Sequence, residues 1–225
     1  MRLSFFKNTN SMTKIVKHIF FSQNKLFVDF EKQFSFDDNL NFGTSFKSLY
    51  KELKLDYPKY FKMDSLSKLG FLAAEVLLHN CKLNEQHLAE KVGIVIGNSS
   101  STLLMDTKHQ ETLNNKAAYF PSPANFVYTL PNILTGEICI RHKIQGENAM
   151  FISSKFDAEM IATYVEILFD DKKITACLAG YIEINQESYE AFLVLIDNSN
   201  QEPTIEKQLI DIYSKYKNTT NSWKN

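Results

Sequence analysis

The sequence predicts an α/β protein, a mixed central sheet flanked by helices. Three observations carry this reading. Lys91-Val-Gly-Ile-Val-Ile-Gly97 is a short apolar run closed by glycine, the pattern of a buried strand. Leu66, Leu69, Leu72, Ala73, Val76 and Leu77 recur at helical spacing behind Asp64, a residue type that caps first turns. Strand-like and helix-like segments then alternate towards the C-terminus, as layered α/β folds require.

Taken in order, residues 15–36 are rich in phenylalanine, and the alternation in Lys25-Leu-Phe-Val-Asp-Phe30 predicts one or two strands. Residues 36–62 read as loop and short helix, with aromatics at Phe46, Tyr50, Tyr57, Tyr60 and Phe61. The helix behind Asp64 and the strand to Gly97 follow, then a polar turn at Asn98–Ser101. Pro121, Pro123 and Pro131 punctuate a loop leading into a helix from Asn132. Glu137–Lys143 and Ala149–Ser153 are strand candidates. Phe156–Phe169 is a helix with almost no polar stripe, which predicts cover on more than one side. Ile174–Ile184 and Glu190–Ile196 read as strands. An amphipathic helix follows Pro203, with Ile205, Leu209, Ile212, Tyr213 and Tyr216 on one face. No internal repeat or low-complexity tract interrupts what reads as one domain over 1–225, with 203–225 its C-terminal helix and tail.

Composition narrows the function classes. Of 225 residues, 44% are apolar and 23% charged, the balance of a globular chain, and the net charge is −1. Only Arg2 and Arg141 are arginines, so the basic excess of a nucleic-acid binder is missing. No apolar run approaches the roughly 20 residues of a membrane span. No apolar signal segment follows Arg2, Lys7 and Lys14, so the expected location is the cytoplasm. Cys81, Cys139 and Cys177 lack metal-binding or disulfide-framework spacing, and the carboxylates show no metal-ligand spacing. No cofactor is expected. Gly93–Ser101 lacks the Gly-Lys-Ser/Thr ending of a phosphate-binding loop.

Three blocks in order resemble the amino-terminal half of the β-ketoacyl synthases, condensing enzymes of thiolase fold. The first is Lys62-Met-Asp-Ser-Leu-Ser-Lys-Leu-Gly70 with Ala73-Ala-Glu75, similar to the family's Asp-led helix. The second is Val92-Gly-Ile-Val-Ile-Gly97-Asn-Ser-Ser. The third runs from Ser122-Pro123 through Pro131-Asn132, Gly136 and Ile140-Arg-His142 to Gly146-Glu-Asn148. Glu147 stands where the family has proline, Tyr181 where it has a second glycine, and no glycine-rich opening strand is recognisable in residues 1–35.

The resemblance implies half of a thiolase-like fold, with Lys155 at the position of the nucleophilic cysteine. An ammonium with an ordinary pKa of about 10.4 is no nucleophile, and an acylated amine is a stable amide rather than a transferable thioester. Active family members also use two histidines from a second half, where this sequence ends; His18, His79, His87, His109 and His142 all precede Lys155. The resemblance is closest to the short ketosynthase-like, chain-length-factor-type subunits of aryl polyene and flexirubin pathways. It implies a catalytically inactive subunit paired with a full-length β-ketoacyl-acyl-carrier-protein synthase, in fatty-acid or polyene-type biosynthesis. The family pairs through the strand before the nucleophile, here Ala149, Met150, Phe151, Ile152 and Ser153. Phe120, Phe126, Tyr128, Leu130 and Phe156 are the candidates for an acyl pocket.

Two other readings stay open on the sequence. One is an enzyme on acyl thioesters, a decarboxylase or hydrolase, using Lys155 or Cys177. Against it, Thr175-Ala-Cys177 lies in a strand-like run and reads as a core thiol, and Ser153-Ser154 beside Lys155 read as turn residues. The other is a stand-alone module binding an acyl carrier protein. Arg141-His-Lys143 reads either as a docking patch for that acidic carrier or as a solvated strand end.

Overall fold

A computed structural model describes residues 13–114, 121–198 and 204–221, with Asn221 described by its backbone alone. The chain forms β1 (Thr13–Ser22), β2 (Lys25–Val28), β3 (Glu31–Ser35), α1 (Phe42–Glu52), α2 (Ser65–Leu77), α3 (Leu83–Gln86), β4 (Val92–Asn98), α4 (Leu103–Asn114), α5 (Pro123–Val127), α6 (Ile133–His142), β5 (Asn148–Ile152), α7 (Ala158–Asp170), β6 (Ala176–Ile184), β7 (Tyr189–Asn198) and α8 (Ile205–Asn221).

The seven strands make one mixed sheet in the order β3-β2-β1-β7-β6-β4-β5. β4 is parallel to both β5 and β6, whereas β7 runs antiparallel to β6 and to β1. One sheet face carries α1, α2 and α6 over Ile96, Leu178, Ile182 and Leu193. The other carries α7 and α8 over Val95, Cys177, Ala179, Phe192 and Val194. Every residue of β4 is buried, as expected of a strand covered on both faces.

Local chemistry explains the boundaries. Asp64 accepts from Leu66 N and Ser67 N and starts α2. Gly70 lets α6 approach, because a Cβ there would lie 2.1 Å from Leu134 Cδ1. Gly180, at φ +150°, sits where a Cβ would meet the carbonyl oxygen of Phe192 at 2.0 Å.

Two expectations change. Residues 15–36 form three strands, not one or two, because left-handed pairs at Gln23-Asn24 and Asp29-Phe30 close two successive tight hairpins. Glu137–Lys143 is no strand but the second half of α6: Leu134, Thr135, Glu137 and Ile138 are buried, a spacing only a helix produces. The polar stretch after Ser101 forms α4, which has no apolar stripe to signal it. Helix α7 is covered by the sheet and flanked by α8, as its apolar sequence predicts, while Met160 and Ile167 on its outer face are 40% and 50% exposed. Among the described residues, no helix is long and apolar enough to cross a membrane.

Candidate functional site

At the C-terminal ends of the parallel strands β4 and β6 lies a cleft of about 870 Å³, where α/β sheets commonly place ligands. The β1–β2 turn forms one wall with Gln23, Asn24 and Lys25, and the segment entering α7 supplies Ser154, Lys155 and Phe156. Ser99 and Ser100 come from the turn after β4, Tyr181 and Glu183 from β6, and Tyr213 and Lys217 from α8.

Glu183 organises the floor. Its Oε2 accepts from the backbone N–H groups of Ser99 at 2.7 Å and Ser100 at 3.0 Å, fixing the turn that leaves β4. Ser99 Oγ and the Tyr181 hydroxyl lie 2.6 Å apart, and burial raises the Tyr181 pKa above its ordinary value. The Tyr213 hydroxyl and Lys217 Nζ both donate to Glu190, each at 2.5 Å, tying α8 to the cleft. Lys155 is exposed in the loop before Asp157, which caps α7 by accepting from Met160 N. Ser153 Oγ donates to the Lys155 carbonyl, so this serine is a turn residue. Among the described residues, neither cysteine nor histidine lines the cleft.

The strand β5 is the terminal strand of the sheet. Ile94 N donates to Glu147 O, and Ser153 N donates to Asn98 O. These two bonds fix the alternation of a parallel ladder, so the backbone groups of Asn148, Met150 and Ile152 point to the free edge. Ala149, Met150 and Phe151 are half-buried, and Ile152 is 47% exposed. Beside this edge, Phe151, Met160, Thr163, Tyr164 and Ile167 line a groove of about 420 Å³ rimmed by Asp157 and Glu159.

The remaining candidates scatter. Phe120 lies outside the described residues. Phe126 and Leu130 are exposed around α5. Tyr128 turns inward and donates to Glu137 Oε1 at 3.2 Å, with its own pKa raised by burial and by that carboxylate. Phe156 packs against Tyr181, Phe192 and Tyr213 at the back of the cleft. Cys177 is fully buried between sheet and α7, and desolvation pushes its thiol pKa far up, the state of a core thiol. Arg141 pairs with Glu75 and stacks over Tyr57, so it is neither a strand end nor a free docking cation.

Sequence reasoning missed Glu183, Tyr181, Tyr213 and Lys217. Glu183 alone carried a signal, a carboxylate inside an apolar strand.

No protein-family model matches the sequence, and no curated protein matches it. Solved structures do. A chain of the ishigamide ketosynthase/chain length factor aligns with TM-score 0.59 at 14% identity, over 86% of this chain and 64% of that one. A chain of the ketosynthase ApeO in complex with its chain length factor ApeC, from Xenorhabdus doucetiae, aligns with TM-score 0.53 at 12% identity, over 84% and 79%. A chain of AntDE:AntF, a type II polyketide acyl-carrier protein in complex with its ketosynthase, aligns with TM-score 0.56 at 13% identity, over 84% and 62%. This chain thus spans under two thirds of the first and third of these chains. At such identities the shared property is the architecture: the chain has the thiolase-like α/β fold of ketosynthases and chain length factors.

Proposed function

We propose that this protein is a ketosynthase-like subunit of chain-length-factor type, without condensing activity of its own. It pairs through β5 with a full-length β-ketoacyl-acyl-carrier-protein synthase, helps to shape that enzyme's acyl pocket, and works in the cytoplasm in fatty-acid or polyene-type biosynthesis. The observation that carries the reading is Lys155 in the cleft, in the loop between β5 and α7, where the resemblance places the nucleophilic cysteine. An amine there gives an amide on acylation, a dead end for carbon–carbon bond formation. The edge of β5 and its apolar groove supply a surface for the partner, since exposed apolar patches beside an unpaired strand mark association sites.

Among the acyl-pocket candidates, Phe126 and Leu130 suit contact across the interface because they are exposed. Phe156 suits a wall of this chain's own cleft. The acyl carrier protein is a further partner, delivering substrate to the synthase. No prosthetic group enters the scheme.

Incubation of the chain and the synthase together with acyl thioesters, read by intact mass, tests the division of labour. The expected adduct is an acyl group on the synthase alone. A stoichiometric acyl adduct on this chain, mapped to Lys155 or Cys177, reverses the assignment in favour of the decarboxylase or hydrolase.

A further inference from the structure

The floor of the large cleft is closed by a side chain that decides what the cleft can hold. On β4, Gly97 faces α7 as Val95 does, and on β6 Tyr181 shares that face with Cys177 and Ala179. A glycine at this point leaves a slot between β4 and the start of α7. Tyr181 fills it: a Cβ on Gly97 would lie 3.5 Å from Tyr181 Cδ2 and 3.2 Å from Ile161 Cδ1. The tyrosine is 7% exposed, and its hydroxyl is held 2.6 Å from Ser99 Oγ, at the turn that Glu183 fixes.

Phe156 completes the closure. Its ring centroid lies 5.9 Å from that of Tyr181, 5.5 Å from Phe192 and 4.5 Å from Tyr213, so rings from β6, β7, α8 and the loop before α7 interlock. In front of them the cleft is lined mostly by amides, hydroxyls and charged groups. Behind them lies the apolar layer of Val95, Ile161, Ala179 and Val194. An alkyl chain entering the cleft therefore meets either polar walls, which lose water without gaining a partner, or rings already packed in the space it needs.

We propose that Tyr181 determines the specificity of this cleft as a stopper: it keeps the apolar layer behind the cleft shut, so the cleft admits polar ligands and excludes acyl chains. This rests on the proposed function for one consequence only, that the acyl chain of the pair is held outside the interior of this chain. Shortening Tyr181 reopens the slot along Gly97 to an alkyl tail, while exposed Lys155 in the same cleft offers its ammonium to a carboxylate head.

Calorimetric titration with decanoate, a carboxylate on an unbranched alkyl chain, tests this without any synthase, on the native chain and on Tyr181→Phe and Tyr181→Ala. The native chain and Tyr181→Phe, which keeps the ring, are expected to bind no decanoate at millimolar concentration. Tyr181→Ala is expected to bind it at least roughly tenfold more tightly than that limit, since burying two or three methylenes is worth as much. Phenol, the size of the removed ring, is expected to displace decanoate from this variant, which places the tail in the vacated slot. If circular dichroism shows that Tyr181→Ala does not fold, Tyr181→Leu leaves a smaller cavity and gives the same reading. Decanoate binding by the native chain or by Tyr181→Phe, no gain in the shortened variant, or a gain that phenol does not compete overturns the proposal. Failure of a synthase to bind, with these titrations as expected, counts against the proposed function and leaves Tyr181 as the stopper.

Discussion

One buried hydroxyl of helix α8 reaches β1 and the β2–β3 turn, and removing it gives a sharp test of how that helix is anchored. Tyr216 is 2% exposed, and its ring stacks on Phe20 with centroids 5.0 Å apart. Its oxygen accepts from Phe30 N at 3.0 Å and lies within hydrogen-bond distance, 2.8 Å, of His18 Nδ1. Tyr216→Phe keeps the ring and the packing but leaves a backbone N–H and a ring nitrogen without partners. An unsatisfied buried group costs about 1–3 kcal/mol, and part of that loss is recovered by relaxation, so a total near 2 kcal/mol is expected. For a chain of this length each kcal/mol moves Tm by roughly 2–4 °C, giving a fall of about 4–8 °C. Thermal and urea melts read the change, with the urea slope unaltered because the surface exposed on unfolding is the same. A Tyr216→Phe protein melting within about one degree of the native chain refutes the claim that this hydroxyl anchors α8.

Further outcomes follow from the same geometry. Gly180→Ala drives a Cβ into the Phe192 carbonyl and is expected to cost on the order of 3 kcal/mol or more, seen as a lower urea midpoint or loss of soluble protein. Asp64→Ala removes both cap bonds of α2 and is expected to cost about 1 kcal/mol by the same assay. Burial lowers the His18 pKa below its ordinary 6.5, with Asp29 opposing and Lys215 assisting. The unfolded chain therefore takes up the proton first, and stability present above pH 6.5 is lost as the pH falls through the folded value. His142 is shifted in the same direction, so His18→Gln should flatten that slope without abolishing it in pH-dependent melts. Ile167→Ser, at a half-exposed position, should leave Tm unchanged within about one degree while weakening synthase binding roughly tenfold in calorimetry.

The elements legible in the sequence are those whose burial is complete. β4, β6 and β7 read as apolar runs because both their faces are covered, and α2 because its buried residues recur at helical spacing behind a capping aspartate. α6 misled because Ile138-Cys-Ile140 looks like strand, whereas its packing on α2 through Gly70 and Leu134 decides for helix. Lys155 was reachable by counting from Asn148 along a local motif. The rest of the cleft was not, since its walls come from the β1–β2 turn, the end of β6 and α8, segments that only the folded sheet brings together. The apolar character of α7 was read correctly, but not the fact that one of its faces stays open beside β5.

The most direct test is co-expression of this chain with a full-length synthase followed by size exclusion with light scattering, repeated with Asn148→Pro and Ile152→Pro. Both residues are exposed, and their N–H groups face the free edge, so proline there spares the β4 ladder. A one-to-one complex that either proline abolishes is the expected result. Separate elution of the two native proteins at micromolar concentration, or a complex that both prolines leave intact, contradicts pairing through β5.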